Sequence, residues 1–316
     1  MSDCLNIVFM GTPDFAVPAL QALHERSAHN VVAVYTQPPR PKGRGKQEQK
    51  SATHRYADTH DIPVYHPVSF KKQPEAVEEL KALKPDVAVV AAYGLILPQS
   101  VLDIPVYGCL NIHGSLLPQW RGASPIQHAI WKGDQTSGVT IMQMEKGLDT
   151  GPMISKSYAD INLQTTASSL HDVLSQQGAD EIIKVVDTLA AQGKLEAEVQ
   201  NDALSSYAPM LSREDGIINW GDTATAIHRQ IRALNPWPGT QCAAPEGKVL
   251  KILGAQLTDM VSEDMAAGTL IDRHGHIVCG DKTVLRLETV KPENSKAMDI
   301  ASAINGHYIK VGDRLN

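Results

Sequence analysis

Cysteine and aromatic residues are scarce in this chain of 316 residues, which has four cysteines and only 5% Phe, Trp and Tyr. Cys4, Cys109, Cys242 and Cys279 lie far apart and form no Cys-x-x-Cys pair. This spacing argues against a disulfide framework and against a cysteine-ligated structural zinc site. We therefore expect four ordinary thiols in a reducing compartment.

Long hydrophobic runs are also missing. The longest apolar stretch, residues 87–97, is roughly half as long as a membrane-spanning helix needs and is interrupted by Gly94. The apolar run at residues 7–10 is too short for a signal peptide, and the residues before it are acidic rather than basic. We therefore predict a soluble, cytoplasmic protein without a membrane partner.

The charge balance excludes one class of nucleic-acid-binding protein. The chain has 29 Lys and Arg against 35 Asp and Glu, a net charge of −6, with most of the negative excess in the first 205 residues. A histone-like polycation is excluded, whereas a local basic site is not, because the field near a patch matters more than the total charge. With 42% apolar residues, the chain can bury the two cores that its length implies.

The first 193 residues alternate between short apolar runs and helical periodicity, which predicts an α/β domain with a doubly wound, mostly parallel sheet. Its boundaries are 1–193. The predicted strands are 5–10, 31–36, 86–92, 108–113, 137–144 and 152–161, and the predicted helices are 15–26, 74–83 and 167–192. Gly193 is placed to end the last helix.

The rest of the chain has a different pattern. Residues 194–208 are polar without a sustained period, and we predict a linker there. Residues 209–316 begin with a helix at 223–234 and continue with several short strands, among them 283–290, whose leucines alternate with charged residues. This pattern predicts a small β-barrel of the oligonucleotide-binding type, or a compact sandwich.

Chemistry-bearing residues cluster at two places in the first domain. Asn111 and His113 lie on the same face of a predicted strand, at the end where sheets of this kind bind ligands. Asp149 stands between Gly147 and Gly151, which allow the backbone an unusual path. An amide, an imidazole and a carboxylate suit stabilisation of an oxyanion and transfer of a proton, with the nucleophile supplied by a substrate. The alternative is that His113 is a hydrogen-bonded core residue and Asp149 forms a turn.

Two further loops allow a functional or a merely structural interpretation. Gly11-Thr12-Pro13 follows the first strand, where a ligand loop or a tight turn fits, but it matches no dinucleotide or triphosphate fingerprint. Residues 40–50 carry five Lys and Arg against one Glu. Such a run is either a solvated loop or, with its interspersed glycines, a flexible phosphate-binding loop.

Several segments in order along both domains resemble the family of methionyl-tRNA formyltransferases. They are Leu5–Ala16, Asn111-x-His113-x-Ser115-Leu116-Leu117-Pro118, Trp120–Ile126, Gly147–Pro152 and Arg232–Gly239. The Asn-x-His…Asp core is shared with other enzymes that use 10-formyltetrahydrofolate, whereas the second-domain signature is typical of the tRNA enzymes. The resemblance implies a Rossmann-like formyltransferase domain and transfer of a formyl group from 10-formyltetrahydrofolate to the α-amine of methionyl initiator tRNA, for translation initiation.

The resemblance also implies roles for individual residues. Asn111, His113 and Asp149 would be catalytic. The folate donor would contact Ser115, Leu116, Leu117 and Pro118, together with Tyr93 and Leu95, for which strand end and core is the alternative. The basic run would hold the tRNA acceptor end through Arg44, Arg40, Lys42 and Lys46. We expect a monomer that requires no metal.

Three rival functions stay open at this point. The nearest is a formyltransferase that acts on a small amine such as a sugar nucleotide, which the basic run and the second-domain match disfavour. A non-catalytic nucleic-acid-binding protein and a hydrolase that releases formate are the others.

Overall fold

The computed structural model describes residues 4–42 and 47–316, and the described residues form two compact units. The first unit takes in the described residues up to 125 together with 136–160 and 171–208, and the second takes in 126–135, 161–170 and 209–316. Within the described ranges, no helix has both the length and the apolar character needed to cross a bilayer.

Sixteen strands and eight α-helices are found in the described residues. The strands are β1 (Asn6–Gly11), β2 (Asn30–Tyr35), β3 (Arg40–Lys42), β4 (Gln47–Gln49), β5 (Val64–Tyr65), β6 (Val87–Ala91), β7 (Cys109–His113), β8 (Arg121–Gly122), β9 (Thr136–Gln143), β10 (Met153–Asp160), β11 (Tyr207–Ala208), β12 (Thr240–Ala243), β13 (Val249–Val261), β14 (His276–Val278), β15 (Thr283–Pro292) and β16 (Met298–Asp299). The helices are α1 (Val17–Glu25), α2 (Ala52–Thr59), α3 (Pro74–Ala82), α4 (Gln99–Leu102), α5 (Pro125–Lys132), α6 (Ala167–Gln192), α7 (Ala224–Leu234) and α8 (Ile300–Asn305).

The first unit is built on a seven-stranded sheet with the order β10-β9-β7-β6-β1-β2-β5. Strands β7, β6, β1, β2 and β5 pair in parallel, whereas β9 is antiparallel to both of its neighbours. The chain proceeds from β1 to β2 on one side and places β6 on the other, so the strand order reverses between β1 and β6. The predicted doubly wound, mostly parallel sheet is therefore confirmed.

Burial explains why the apolar runs form the central strands. All five residues of β6 are buried, as a strand covered by helices on both faces requires. Helix α6 spans the predicted residues 167–192. Gly193 then takes a left-handed φ of 69° and donates its N–H to the Leu189 carbonyl at 2.8 Å, which ends the helix as predicted.

Helices α2, α4, α5 and α8 have no counterpart among the helices predicted from the sequence. Helix α2 is polar in composition, and two of its three buried residues are Thr53 and His54. Its local signal is the N-terminal cap, where the Ser51 hydroxyl accepts a hydrogen bond from the His54 N–H at 3.1 Å. Residues 194–208, predicted as a linker, contribute β11, which pairs in parallel with β8 inside the first unit.

The second unit is an antiparallel sheet closed into a small barrel. Its strands follow the order β12-β13-β15-β14, with β16 beside β15. The C-terminal residue Asn316 exchanges two backbone hydrogen bonds with Ala243 of β12, Leu315 donates to the carbonyl of Gly268, and Leu270 bridges Ile277 of β14. These contacts connect the two edges of the sheet, as closure into a barrel requires.

The interior of the barrel is apolar. Leu285 and Leu287 are fully buried, whereas Arg286 and Glu288 between and beside them are not, which confirms the predicted alternation of β15. Helix α7 adds Ile227 to this core.

Candidate active site

The predicted ligand loops lie at one edge of the sheet. Strands β1, β6 and β7 are adjacent and parallel, so Gly11, Ala91 and His113 end them on the same side. The Thr12 hydroxyl donates to the Tyr93 carbonyl at 2.8 Å, which joins the loops after β1 and β6.

Strand β7 holds Asn111 and His113, two residues apart and therefore on one face. Asn111 is partly exposed, whereas His113 is 6% exposed. The Nε2 atom of His113 lies 3.0 Å from the Trp120 carbonyl oxygen. Because a carbonyl only accepts, this contact assigns the proton to Nε2 and leaves Nδ1 as the nitrogen that faces the site.

Asp149 lies opposite that nitrogen. Its Oδ2 atom is 3.7 Å from His113 Nδ1 and accepts a hydrogen bond from the Gly122 N–H at 2.9 Å. The distance of 3.7 Å exceeds that of a direct hydrogen bond, and both side chains are largely buried. Because Nδ1 and the carboxylate both accept, a proton or a donor group of the substrate placed between the two atoms completes the contact.

The sequence suggested that Gly147 and Gly151 allow the backbone an unusual path, but the unusual backbone conformation is that of Asp149 itself. Asp149 itself takes the left-handed φ of 52°, while Gly151 does not. A Cβ atom on Gly151 would overlap the carbonyl oxygen of Gln143, so close approach of backbone requires this glycine. Strained backbone of this kind is often found at functional sites.

The loop after β7 is held by internal hydrogen bonds. Ser115 is fully buried, and its hydroxyl donates to the Gln119 carbonyl at 2.6 Å. The Thr140 hydroxyl accepts from the Leu117 N–H at 3.0 Å and donates to the Ser115 carbonyl at 2.7 Å. Leu116 and Pro118 are partly exposed, so these two residues have the surface that a ligand could contact.

The loop after β6 contains the other predicted folate contacts. Tyr93 is 2% exposed, and burial raises the pKa of its phenol. Its hydroxyl has no hydrogen-bond partner in the described part of the chain. Leu95 is partly exposed. The Gln37 amide donates to the carbonyls of Tyr93 and Gly94 and accepts from the Arg40 guanidinium at 2.8 Å.

The described parts of the basic run contain two short strands, β3 and β4, which pair in antiparallel fashion. Arg40 is exposed on β3, and Lys42 ends that strand. Arg44 and Lys46 lie outside the described residues.

One group of side chains in the described ranges could hold a metal ion. The ligand atoms of His24, Glu25 and His60 lie within 4.8 Å of one another. The group belongs to α1 and to the residue after α2. The expectation that no metal is required stays a prediction.

Two hollows lie within the second unit. One, of about 800 Å³, is lined in part by His228, Arg232 and Asn235. The other, of about 550 Å³, is lined by Arg273, His307 and Lys310 among others.

No local pattern predicts which residues hold His113 and Asp149 in place, although Trp120 and Gly122 lie in a segment that resembles the family. The Trp120 carbonyl and the Gly122 N–H each bind one of the two side chains, and Gln200 binds the Asp149 backbone. Gln200 lies in a polar segment without a period, so no local pattern distinguishes it.

Comparison with known proteins identifies the family. The formyl transferase model matches residues 5–186, and the model of the formyl transferase C-terminal domain matches residues 210–308. The chain belongs to the formyl transferase family. Two curated relatives of this formyl transferase are named methionyl-tRNA formyltransferase. One, from Legionella pneumophila strain Paris, is 48% identical over 302 residues, 95% of either chain, and one from Granulibacter bethesdensis is 48% identical over 319 residues, 100% of this chain and 98% of its own.

Solved formyl transferases share the fold. An N-formyltransferase from Helicobacter canadensis, solved with folinic acid and dTDP-3-aminofucose, aligns with a TM-score of 0.66 at 20% identity, covering 90% of this chain and 98% of its own. The predicted fold of an α/β formyltransferase domain followed by a smaller β domain is confirmed.

Proposed function

We propose that this chain transfers the formyl group of 10-formyltetrahydrofolate to the α-amine of methionyl initiator tRNA, for translation initiation in the cytoplasm. The observation that carries the proposal is the apposition of His113 and Asp149 across 3.7 Å at the carboxyl edge of a formyl transferase sheet. The curated relatives support the tRNA substrate, because they are similar over almost their whole length.

The nucleophile is the α-amine of the substrate. Such an amine has an ordinary pKa of about 7.7–8.0, so a useful neutral fraction exists near pH 7.5. Its lone pair attacks the formyl carbon, and the formyl oxygen gains negative charge. The Asn111 amide stabilises this charge, and His113 does so once its Nδ1 has taken up a proton; losing one such donor typically costs about 3–4 kcal/mol of barrier.

The attacking nitrogen must then lose a proton as the bond to the folate nitrogen breaks. Asp149 orients His113 and accepts or relays that proton toward the departing folate nitrogen, which leaves as tetrahydrofolate. The Gly122 N–H fixes the carboxylate during this exchange.

Binding is divided between the two substrates. Leu116, Pro118 and Leu95, which are partly exposed at the sheet edge, provide apolar surface for the donor, with Ser115, Leu117 and Tyr93 behind them. The basic run, with Arg40, Lys42, Arg44 and Lys46, neutralises phosphates of the tRNA acceptor end. The chain acts as a monomer.

A formyltransferase acting on a sugar-nucleotide amine is the nearest alternative. The Helicobacter canadensis neighbour was solved with such a molecule, but at 20% identity it supports the fold alone. The relatives at 48% identity favour the tRNA substrate.

One assay separates these functions. The purified chain is given 10-formyltetrahydrofolate with charged initiator tRNA, free methionine, an amino-sugar nucleotide or water as acceptor. We expect transfer to the charged tRNA alone. Comparable transfer to the amino sugar, or release of formate alone, would overturn the proposal.

Two variants separate chemistry from binding. Asp149→Asn keeps the shape of the side chain and removes its charge, so kcat falls about 100- to 1,000-fold while the Kd for tRNA stays within about twofold. Arg44→Ala has the opposite pattern, because it weakens tRNA binding and reduces the slope of log K against log salt by about 1. Near-normal turnover of Asp149→Asn would refute the role of Asp149.

A further inference from the structure

Gln200 is a buried residue, 7% exposed, whose amide makes three hydrogen bonds at the candidate active site. Its Nε2 donates to the carbonyl of Asp149 at 2.8 Å and to the carbonyl of Gly151 at 2.7 Å. Its Oε1 accepts from Arg121 Nε at 3.0 Å. The opposite amide orientation would place Oε1 against two carbonyls, so these partners assign the orientation.

Arg121 connects this amide to the segment of residues 120–122, whose backbone binds the side chains of His113 and Asp149. The residue before it, Trp120, accepts from His113, and the residue after it, Gly122, donates to the Asp149 carboxylate. The Arg121 guanidinium also binds Asp202 at 2.7 Å. Gln200 and Asp202 therefore bind the side chain of the residue between the two anchors, whose backbone N–H donates to the Ser206 carbonyl at 2.9 Å.

The contacts form a closed ring. The Asp149 backbone binds Gln200, Gln200 binds Arg121, and the adjoining Gly122 binds the Asp149 carboxylate. His113 is attached beside this ring, through the carbonyl of Trp120, so the ring fixes Asp149 relative to the anchor of His113, across 3.7 Å between His113 Nδ1 and Asp149 Oδ2. A displacement of about 1 Å in such a geometry can cost about 100-fold in rate.

We propose that Gln200 is a positioning residue, which sets the separation of His113 and Asp149 through its two carbonyl contacts and through Arg121. The inference rests on the proposed formyl transfer. Gln200 touches neither substrate in this role, so its loss lowers turnover without weakening the binding of the folate or of the tRNA.

The test is Gln200→Met, which keeps the length of the side chain and removes all three hydrogen bonds. We expect kcat to fall about 10- to 100-fold, with KM for both substrates within about twofold of wild type. Gln200→Glu retains the acceptor for Arg121 but sets a carboxylate oxygen against two carbonyls, so its kcat falls at least as far.

Gln230 provides a matched control. It is also 7% exposed, and its Nε2 also donates to two carbonyls, those of Asp215 at 2.8 Å and Ile217 at 3.1 Å, within the second unit. Gln230→Met therefore loses the same kind of buried contacts. We expect a comparable fall in Tm and no loss of kcat beyond about twofold, measured well below the Tm of every variant.

A double-variant comparison distinguishes positioning from general destabilisation. In single turnover, Gln200→Met added to Asp149→Asn should lower the rate less than about threefold, because the carboxylate that Gln200 positions is already gone. The inference is overturned if Gln200→Met lowers the rate of Asp149→Asn as much as it lowers the rate of wild type. It is also overturned if the kcat of Gln200→Met is within about twofold of wild type.

Failure of the proposed function and failure of the Gln200→Met variant to fold are told apart from failure of the inference. If wild type transfers no formyl group to the tRNA, the proposed function fails, whatever Gln200 does. If Gln200→Met does not fold, Arg121→Met breaks the same ring at its other contact and is expected to show the same loss of kcat at unchanged KM. Unchanged kcat of that variant overturns the inference.

Discussion

Acid sensitivity of the second unit follows from one buried histidine. His228 lies on α7, is 6% exposed, and its Nδ1 atom has no hydrogen-bond partner among the described residues. Burial, with smaller contributions from the nearby cations Arg232 and Arg229, lowers the pKa of His228 from its ordinary 6.5 to about 4. The folded unit therefore contains a neutral His228 at pH 5, whereas the unfolded chain protonates it.

The sign and the size of the effect follow from linkage. The unfolded state binds more protons below pH 6.5, so the contribution of His228 to stability is complete above pH 6.5 and is lost as the pH falls toward 4. One pKa unit corresponds to about 1.4 kcal/mol, so the loss approaches about 3 kcal/mol below pH 4 and amounts to about 2 kcal/mol between pH 7 and pH 5.

The assay is urea unfolding at pH 7 and pH 5, followed by tryptophan fluorescence, since Trp220 belongs to the same core as α7. His228→Leu and His228→Gln both remove the titrating group, one with an apolar and one with a polar side chain. Both should reduce the loss of stability between the two pH values by about 2 kcal/mol, even if they differ from each other at pH 7. A loss at pH 5 that is the same in wild type and in both variants would refute the reasoning.

Two further predictions concern the first unit and the thiols. Thr140→Val keeps the side-chain shape but leaves the Leu117 N–H and the Ser115 carbonyl without their buried partner, so the free energy of unfolding should fall by about 2–4 kcal/mol and the KM for the folate donor should rise. Thr140→Ser restores the hydroxyl and should recover most of that stability, and equal urea midpoints for the two variants would contradict the role of the hydroxyl. Of the four cysteines only Cys4 is exposed, whereas burial raises the pKa of the other three thiols, Cys109, Cys242 and Cys279, to about 12. One thiol of the native protein should therefore react rapidly with a disulfide reagent at pH 8, and Cys4→Ser should abolish that reaction; rapid reaction of a second thiol would contradict the burial.

Local sequence patterns predicted the strands and helices whose formation depends on residues close together in the chain. The apolar runs and the helical period placed the central strands and set helix α6 at 167–192, because each pattern reflects burial along one element. The period of two in a strand likewise predicts that Asn111 and His113 share one face. Helix α2 was missed because its composition is polar and because Thr53 and His54, two of its three buried residues, are not apolar.

The sequence predicted the kind of chemistry at the site. An amide, an imidazole and a carboxylate without an activated nucleophile suit a reaction whose nucleophile comes from a substrate. The meeting of His113 with Asp149, 36 residues further on, was decided only by the tertiary structure. The same holds for Gln200, which lies in a segment that has no periodic pattern and yet binds the Asp149 backbone. Periodicity reports how a residue relates to its own strand or helix, whereas the distance between these side chains depends on how β7, the loop after β9 and the segment before β11 pack against one another.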